Sequence, residues 1–199
     1  MVFLATVYLE YKMGWIGSPK SQDPEFVPHF IKSNWGQLKG IWGWQAFANF
    51  LFTLAYFHLA KISRNDFWIP LGSLWAVLFV LSFMVLVSFG ITLGAYWPAL
   101  SIYESNPDLF HTVRGGVLAL YDFGGVFGQL TLLVILLYEI FSKSGVVQKK
   151  WGFVIIAILL AFLALMVFKI LPRQMISLTV LLIPLTLGYA YVKKSEQAK

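Results

Sequence analysis

Long apolar runs broken by short polar stretches dominate the chain. A membrane-crossing helix needs about 20 predominantly apolar residues. Five runs meet that length: residues 41–60, 69–97, 115–141, 151–171 and 175–192. Lys61 and Arg64 close the first. Pro70 opens the second and Pro98 ends it, positions where a missing backbone donor suits a helix start and stop. The fourth lies between Lys149-Lys150 and Lys169, and Lys193-Lys194 follow the fifth. Pro184 inside the fifth predicts a kink, because it removes one backbone donor. The opening run, residues 2–9, is cut short by Glu10 and Lys12. Seventeen residues rise about 25 Å as a helix, slightly short of a ~30 Å hydrocarbon core. No basic residue precedes this run and no small-residue cleavage site follows, which fits a signal peptide poorly. Residues 1–17 therefore read as a short first span, or else as a half-inserted interfacial segment.

The predicted fold is all-α: a polytopic transmembrane helical bundle of six spans, the first short, or of five. Residues 18–39 form an extramembrane segment, residues 41–192 the bundle, and residues 193–199 a basic cytoplasmic tail. Within the polar segment, Asp23-Pro24-Glu25 reads as the N-cap and first positions of a short helix. Phe26, Val27, Phe30 and Ile31 fall on one side of it, opposite Glu25, Lys32 and Ser33. That amphipathic pattern suits either the headgroup level or packing against the bundle.

Composition supports lipid as the solvent. Of 199 residues, 59% are hydrophobic and only 12% charged, against roughly 25% charged in a soluble domain. The mean hydropathy is +0.75. Cysteine is absent, so disulfides, thiolate metal sites and thiol nucleophiles are excluded. A net charge of +6 comes without any Lys/Arg cluster longer than two, which argues against nucleic acid and for basic loops facing anionic lipid. The Lys61/Arg64 loop, the 143–150 loop and the C-terminal tail share one side, while Glu104 and Asp108 lie on the other. This bias predicts a cytoplasmic C-terminus. Trp35, Trp42, Trp44 and Trp97 mark the outer interface, Trp68 and Trp151 the inner one. A bacterial plasma membrane is the expected location.

Asp122 is the most informative polar residue. It lies seven residues into the 115–141 run, about 10 Å below the outer boundary. An acid at such depth costs roughly 2.5–3.5 kcal/mol on insertion scales and needs protein or water beside it. Gln45, Asn49, Thr53 and Tyr56 recur at helical spacing, as do Ser88, Thr92 and Tyr96. Both stripes, with Gln129, supply partners for Asp122 at similar depth. Together they predict an intramembrane polar cluster, either a proton or cation site or a set of interhelical ties. Gly124 and Gly128, four apart, predict close helix packing. Gly115-Gly116 is the expected bend of a helix beginning near Pro107.

Catalytic motifs are missing: there is no G-x-S-x-G, Walker or Rossmann pattern. His58 lies at the inner end of its run and His111 outside the 115–141 run, so the two do not share a haem. No HxxxH or HExxH spacing points to a metal. No catalytic residue, metal or cofactor is expected.

Residues 123–152, FGGVFGQLTLLVILLYEIFSKSGVVQKKWG, resemble a family of small six-helix bacterial membrane proteins of unknown function. The resemblance rests on a glycine-bearing helix, the Lys143-Ser144-Gly145 turn and a following apolar helix. It departs where the family commonly has proline, at Val147 or Gln148. It implies six spans in a bacterial membrane and no activity. Two functional classes follow. The first is a non-catalytic structural or accessory subunit whose partners are lipids and other membrane subunits, or a second copy. The alternative is a small-solute or proton-coupled transporter with a polar outward cavity around Asp122.

Overall fold

The computed structural model describes residues 2–15, 23–63, 70–142, 145–167 and 182–197. Among them the chain forms six helices and no strand: α1 (Val2–Lys12), α2 (Phe26–Ile62), α3 (Leu71–Ser101), α4 (Pro107–Phe141), α5 (Lys149–Val167) and α6 (Leu182–Gln197). α3 and α4 are long and apolar enough to cross a membrane, with mean hydropathies of 2.5 and 1.8 in their most apolar stretches.

At 11 residues, α1 rises about 16 Å, half of a hydrocarbon core. Gly14 ends it at φ +76°, where the N–H of Trp15 donates to the Glu10 carbonyl and that of Gly14 to Tyr11. This is a Schellman closure, and its left-handed position is where glycine carries no Cβ penalty.

Asp23 caps α2 as its sequence predicts: its Oδ1 accepts from the Glu25 N–H at 3.0 Å and its carbonyl from the Val27 N–H. The short amphipathic helix and the helix that carries the 41–60 run are two helical stretches that follow one another across a kink, and α2 spans both, 37 residues in all. Its single break is at Asn34 (φ −114°, ψ 15°), where the side-chain amide donates to the Phe30 carbonyl. Val27 and Ile31 before the kink and Leu38 and Ile41 after it are all buried. Val27 and Ile31 of the amphipathic segment pack into the core of the first unit.

Pro70 precedes α3, but α3 runs through Pro98 to Ser101. One lost donor does not end it, because Ala99 and Leu100 are buried. α4 likewise runs unbroken through Gly115-Gly116, where a bend was expected. Asn106 caps it through a bond from the Leu109 N–H. Parts of the last two apolar runs, residues 168–181, lie outside the described residues. Pro184 falls in the first turn of α6, where a missing N–H is tolerated.

The chain divides into two units. In the first, Met1–Ala55 with Phe79–Phe127, the core gathers Val27, Ile31, Trp42, Tyr96 and Phe110. Tyr96 sits edge-on to Trp42 and Phe110, at 6.0 and 5.4 Å between ring centroids. In the second, Tyr56–Leu78 with Gly128–Lys199, Trp75 stacks on Tyr56 at 5.8 Å beside buried Leu132, Ile135 and Leu136. Outward-facing side chains are largely apolar: Trp44, Phe47 and Leu51 on α2, Val80 and Phe83 on α3, Phe123 and Val126 on α4, and Phe153 on α5 are each at least 43% exposed.

Candidate functional site

Three groups of polar side chains occupy the first unit. At the end of α1, the Glu10 carboxyl is buried (5% exposed). It accepts from the indole N–H of Trp42 at 2.8 Å and the amide of Gln45 at 2.9 Å. A buried carboxyl is tolerated only with such partners, since its desolvation would otherwise be uncompensated. One turn further along α2, Asn49 donates to the Ser82 carbonyl at 2.9 Å, and Thr53 shares a 2.7 Å bond with the Ser82 hydroxyl. These bonds tie α2 to α3. The third stripe, on α3, turns back on its own helix: Ser88 donates to the Val85 carbonyl and Thr92 to that of Ser88. Tyr96 is buried in the aromatic core.

Asp122 does not join them. It is exposed on α4 between exposed Leu118 and Val126, and among the described residues no hydrogen bond reaches it. The expected pairing of Asp122 with Gln45, Asn49 or the Ser88–Thr92–Tyr96 stripe is not formed. The physical reason lies two residues along. Gly124 faces α3 so closely that a Cβ there would stand 2.6 Å from the Leu81 carbonyl oxygen and 2.8 Å from Val85. Gly124 stands two positions after Asp122, about 200° around a helix and not a full turn, so inward Gly124 turns Asp122 outward. Gly128, in the second unit, makes an ordinary contact with Leu78. Gln129 is half-buried and has no hydrogen bond among the described residues.

The second unit holds a further buried acid. Glu139 is fully buried near the end of α4. It accepts from the Val146 N–H at 2.9 Å and from the Tyr191 hydroxyl on α6. Gly145 lies against the Glu139 backbone so tightly that no Cβ fits. Glu139 thus fastens the 145–148 turn and α6 to α4.

Neither Glu10 nor Glu139 was singled out by sequence reasoning, and Ser82 was passed over. The signal for Glu139 was present: an acid in the apolar run LLVILLYEIF meets the same depth criterion as Asp122. Glu10 offered only a Thr6–Glu10 spacing of one turn, and its partners are more than 30 residues away. No group of His, Cys, Asp and Glu suited to a metal occurs among the described residues. Between α3 and α4, the Tyr103 hydroxyl and His111 Nε2 lie 3.2 Å apart, and exposed His29 meets the Tyr103 ring edge-on. The arrangement fastens helices together through Glu10, Asn49, Thr53 and Glu139, while the Asp122 carboxyl, within an apolar stretch of α4, points outward. No family model, curated protein or solved structure matches the chain.

Proposed function

We propose that this chain is a multi-pass protein of a bacterial plasma membrane, with a cytoplasmic C-terminus. In this reading it is a non-catalytic accessory subunit that docks a helix of another membrane protein on the Asp122 face of α4. Six helical segments enter the membrane, α1 to only half depth. The apolar outward faces of α2 to α5 support lipid as the surrounding solvent.

The observation that carries the reading is the position of Asp122. Two residues on, Gly124 packs on the Leu81–Val85 stretch, the middle of the 31-residue α3. Asp122 therefore stands within the apolar length of α4, facing away from α3 amid Leu118, Phe123 and Val126. A carboxyl there needs a hydrogen-bond donor or a cation from another chain. A second copy related by a two-fold axis would bring carboxyl against carboxyl, whereas a different helix bearing a donor complements it. The transporter alternative requires Asp122 to line a cavity, and its outward position supports docking instead.

The test uses a photo-crosslinking residue at Ala119, on the same face, with Phe50 on α2 as control, in native membranes. The expected result is one defined adduct from position 119, absent from position 50 and lost in Asp122→Leu. The detergent-solubilised monomer should melt at the same temperature with and without that substitution. An adduct indifferent to Asp122→Leu, or a lowered melting temperature in that variant, overturns the proposal.

A further inference from the structure

In the second unit, a half-open cavity of about 730 Å³ lies between the 145–148 turn, the first turns of α5 and the Leu185–Lys194 stretch of α6. Its walls differ in chemistry from end to end. Ile155 and Leu185 give it an apolar wall, Trp151 and Tyr189 line it with rings, and Lys193 and Lys194 add two ammonium groups to the lining. Gln148, also in the lining, is the residue from which α5 springs. The first bond of that helix runs from the Gly152 N–H to the Gln148 carbonyl, so the N–H groups of residues 149–151 have no partner within the helix. A cation pair, a helix N-terminus and an apolar slot thus converge on one volume.

We infer that this cavity binds an anionic phospholipid. Its phosphate would lie between Lys193, Lys194 and the start of α5, and the upper part of an acyl chain along Ile155 and Leu185. The positive end of a 19-residue helix and two ammonium groups favour an anion. The apolar wall has no use for a free phosphate but suits an ester-linked chain. Trp151 and Tyr189 are side chains that settle at the headgroup level. Basic pockets between helices on the cytoplasmic side are suited to acidic headgroups. The volume takes a headgroup with the first part of one chain, within the range of small-molecule sites. The inference rests on the membrane reading above for its source of ligand, and the cavity itself is independent of Asp122.

The test is native mass spectrometry of the protein reconstituted in nanodiscs of equal phosphatidylglycerol and phosphatidylcholine. Wild type is expected to retain phosphatidylglycerol selectively. Lys193→Gln with Lys194→Gln should weaken that retention about 25-fold, at about fivefold per lysine. Lys61→Gln, outside the cavity, should leave it unchanged. Ala190→Leu fills the cavity without touching charge and should also lower retention, so the result does not depend on one variant folding. Equal retention of the two lipids, retention that survives both cavity variants, or displacement by inorganic phosphate overturns the proposal. Failure of the membrane reading shows separately, as protein that does not enter the nanodisc.

Discussion

Glu10 is the side chain whose loss should be felt most directly. Its two oxygens satisfy two buried donors, the Trp42 indole and the Gln45 amide. Glu10→Leu strands both, at about 1–3 kcal/mol for each unsatisfied group. Glu10→Gln keeps the shape, and the Gln45 amide can flip to accept from the new side chain. We expect Glu10→Leu to lower the melting temperature in detergent by several degrees, with Glu10→Gln close to wild type. Equal melting of the two variants would remove this carboxyl from the set of interactions that hold α1. At this scale the sequence was legible in part. Gln45, Asn49 and Thr53 do face inward as their spacing predicts, but their partners, Glu10 and Ser82, come from segments about 30 residues distant. Periodicity reports which face a residue shares with its own helix; it carries no information on which neighbour that face meets.

Among elements, the contact between α3 and α4 in the first unit depends on one glycine. A Cβ at Gly124 would run into the backbone carbonyl of Leu81, and backbone yields less than a side chain. Gly124→Val should push the helices apart and cost about 1–3 kcal/mol, as overpacking does. Gly125, with open space around its missing Cβ, is a helix-interior glycine without a packing reason. Gly125→Ala should be neutral or stabilise by up to about 1 kcal/mol. Thermal melting of both variants checks the contrast, and equal effects would contradict the packing argument. The Gly124/Gly128 spacing announced a close approach, and only Gly124 makes one. The same rotation that seats Gly124 decides the outward direction of Asp122, which spacing alone left open. Helix starts at Asp23, Pro70 and Asn106 were readable because caps are local chemistry. Helix ends were less so: Pro98 failed to stop α3, since burial of Ala99 and Leu100 outweighed one missing bond.

For the whole molecule, the proposed orientation follows from where basic residues collect, and a chain without cysteine makes it simple to measure. Single substitutions Ser105→Cys, in the turn before α4, and Lys194→Cys, in α6, should label differently with a membrane-impermeant maleimide. Position 105 is expected to react in intact cells, and position 194 only after permeabilisation. The reverse pattern would invert the topology and place the basic cavity beside the outer leaflet.

From its sequence alone the chain was all-helical, apolar in long runs and capped at recognisable positions, because these properties depend on residues within a few places of each other. The place of Asp122 within a long apolar helix was equally readable, as a matter of counting along the chain. What tertiary structure decided was direction and partnership. Val27 and Ile31 before the Asn34 kink and Leu38 and Ile41 after it were buried in one core, and Glu10 found Trp42 and Gln45 because α1 lies against α2. Glu139 became the anchor of a turn and of α6, and Asp122 was turned outward by the packing of a glycine. These depend on which helices meet and at what rotation, and that is set by contacts between residues far apart in the chain.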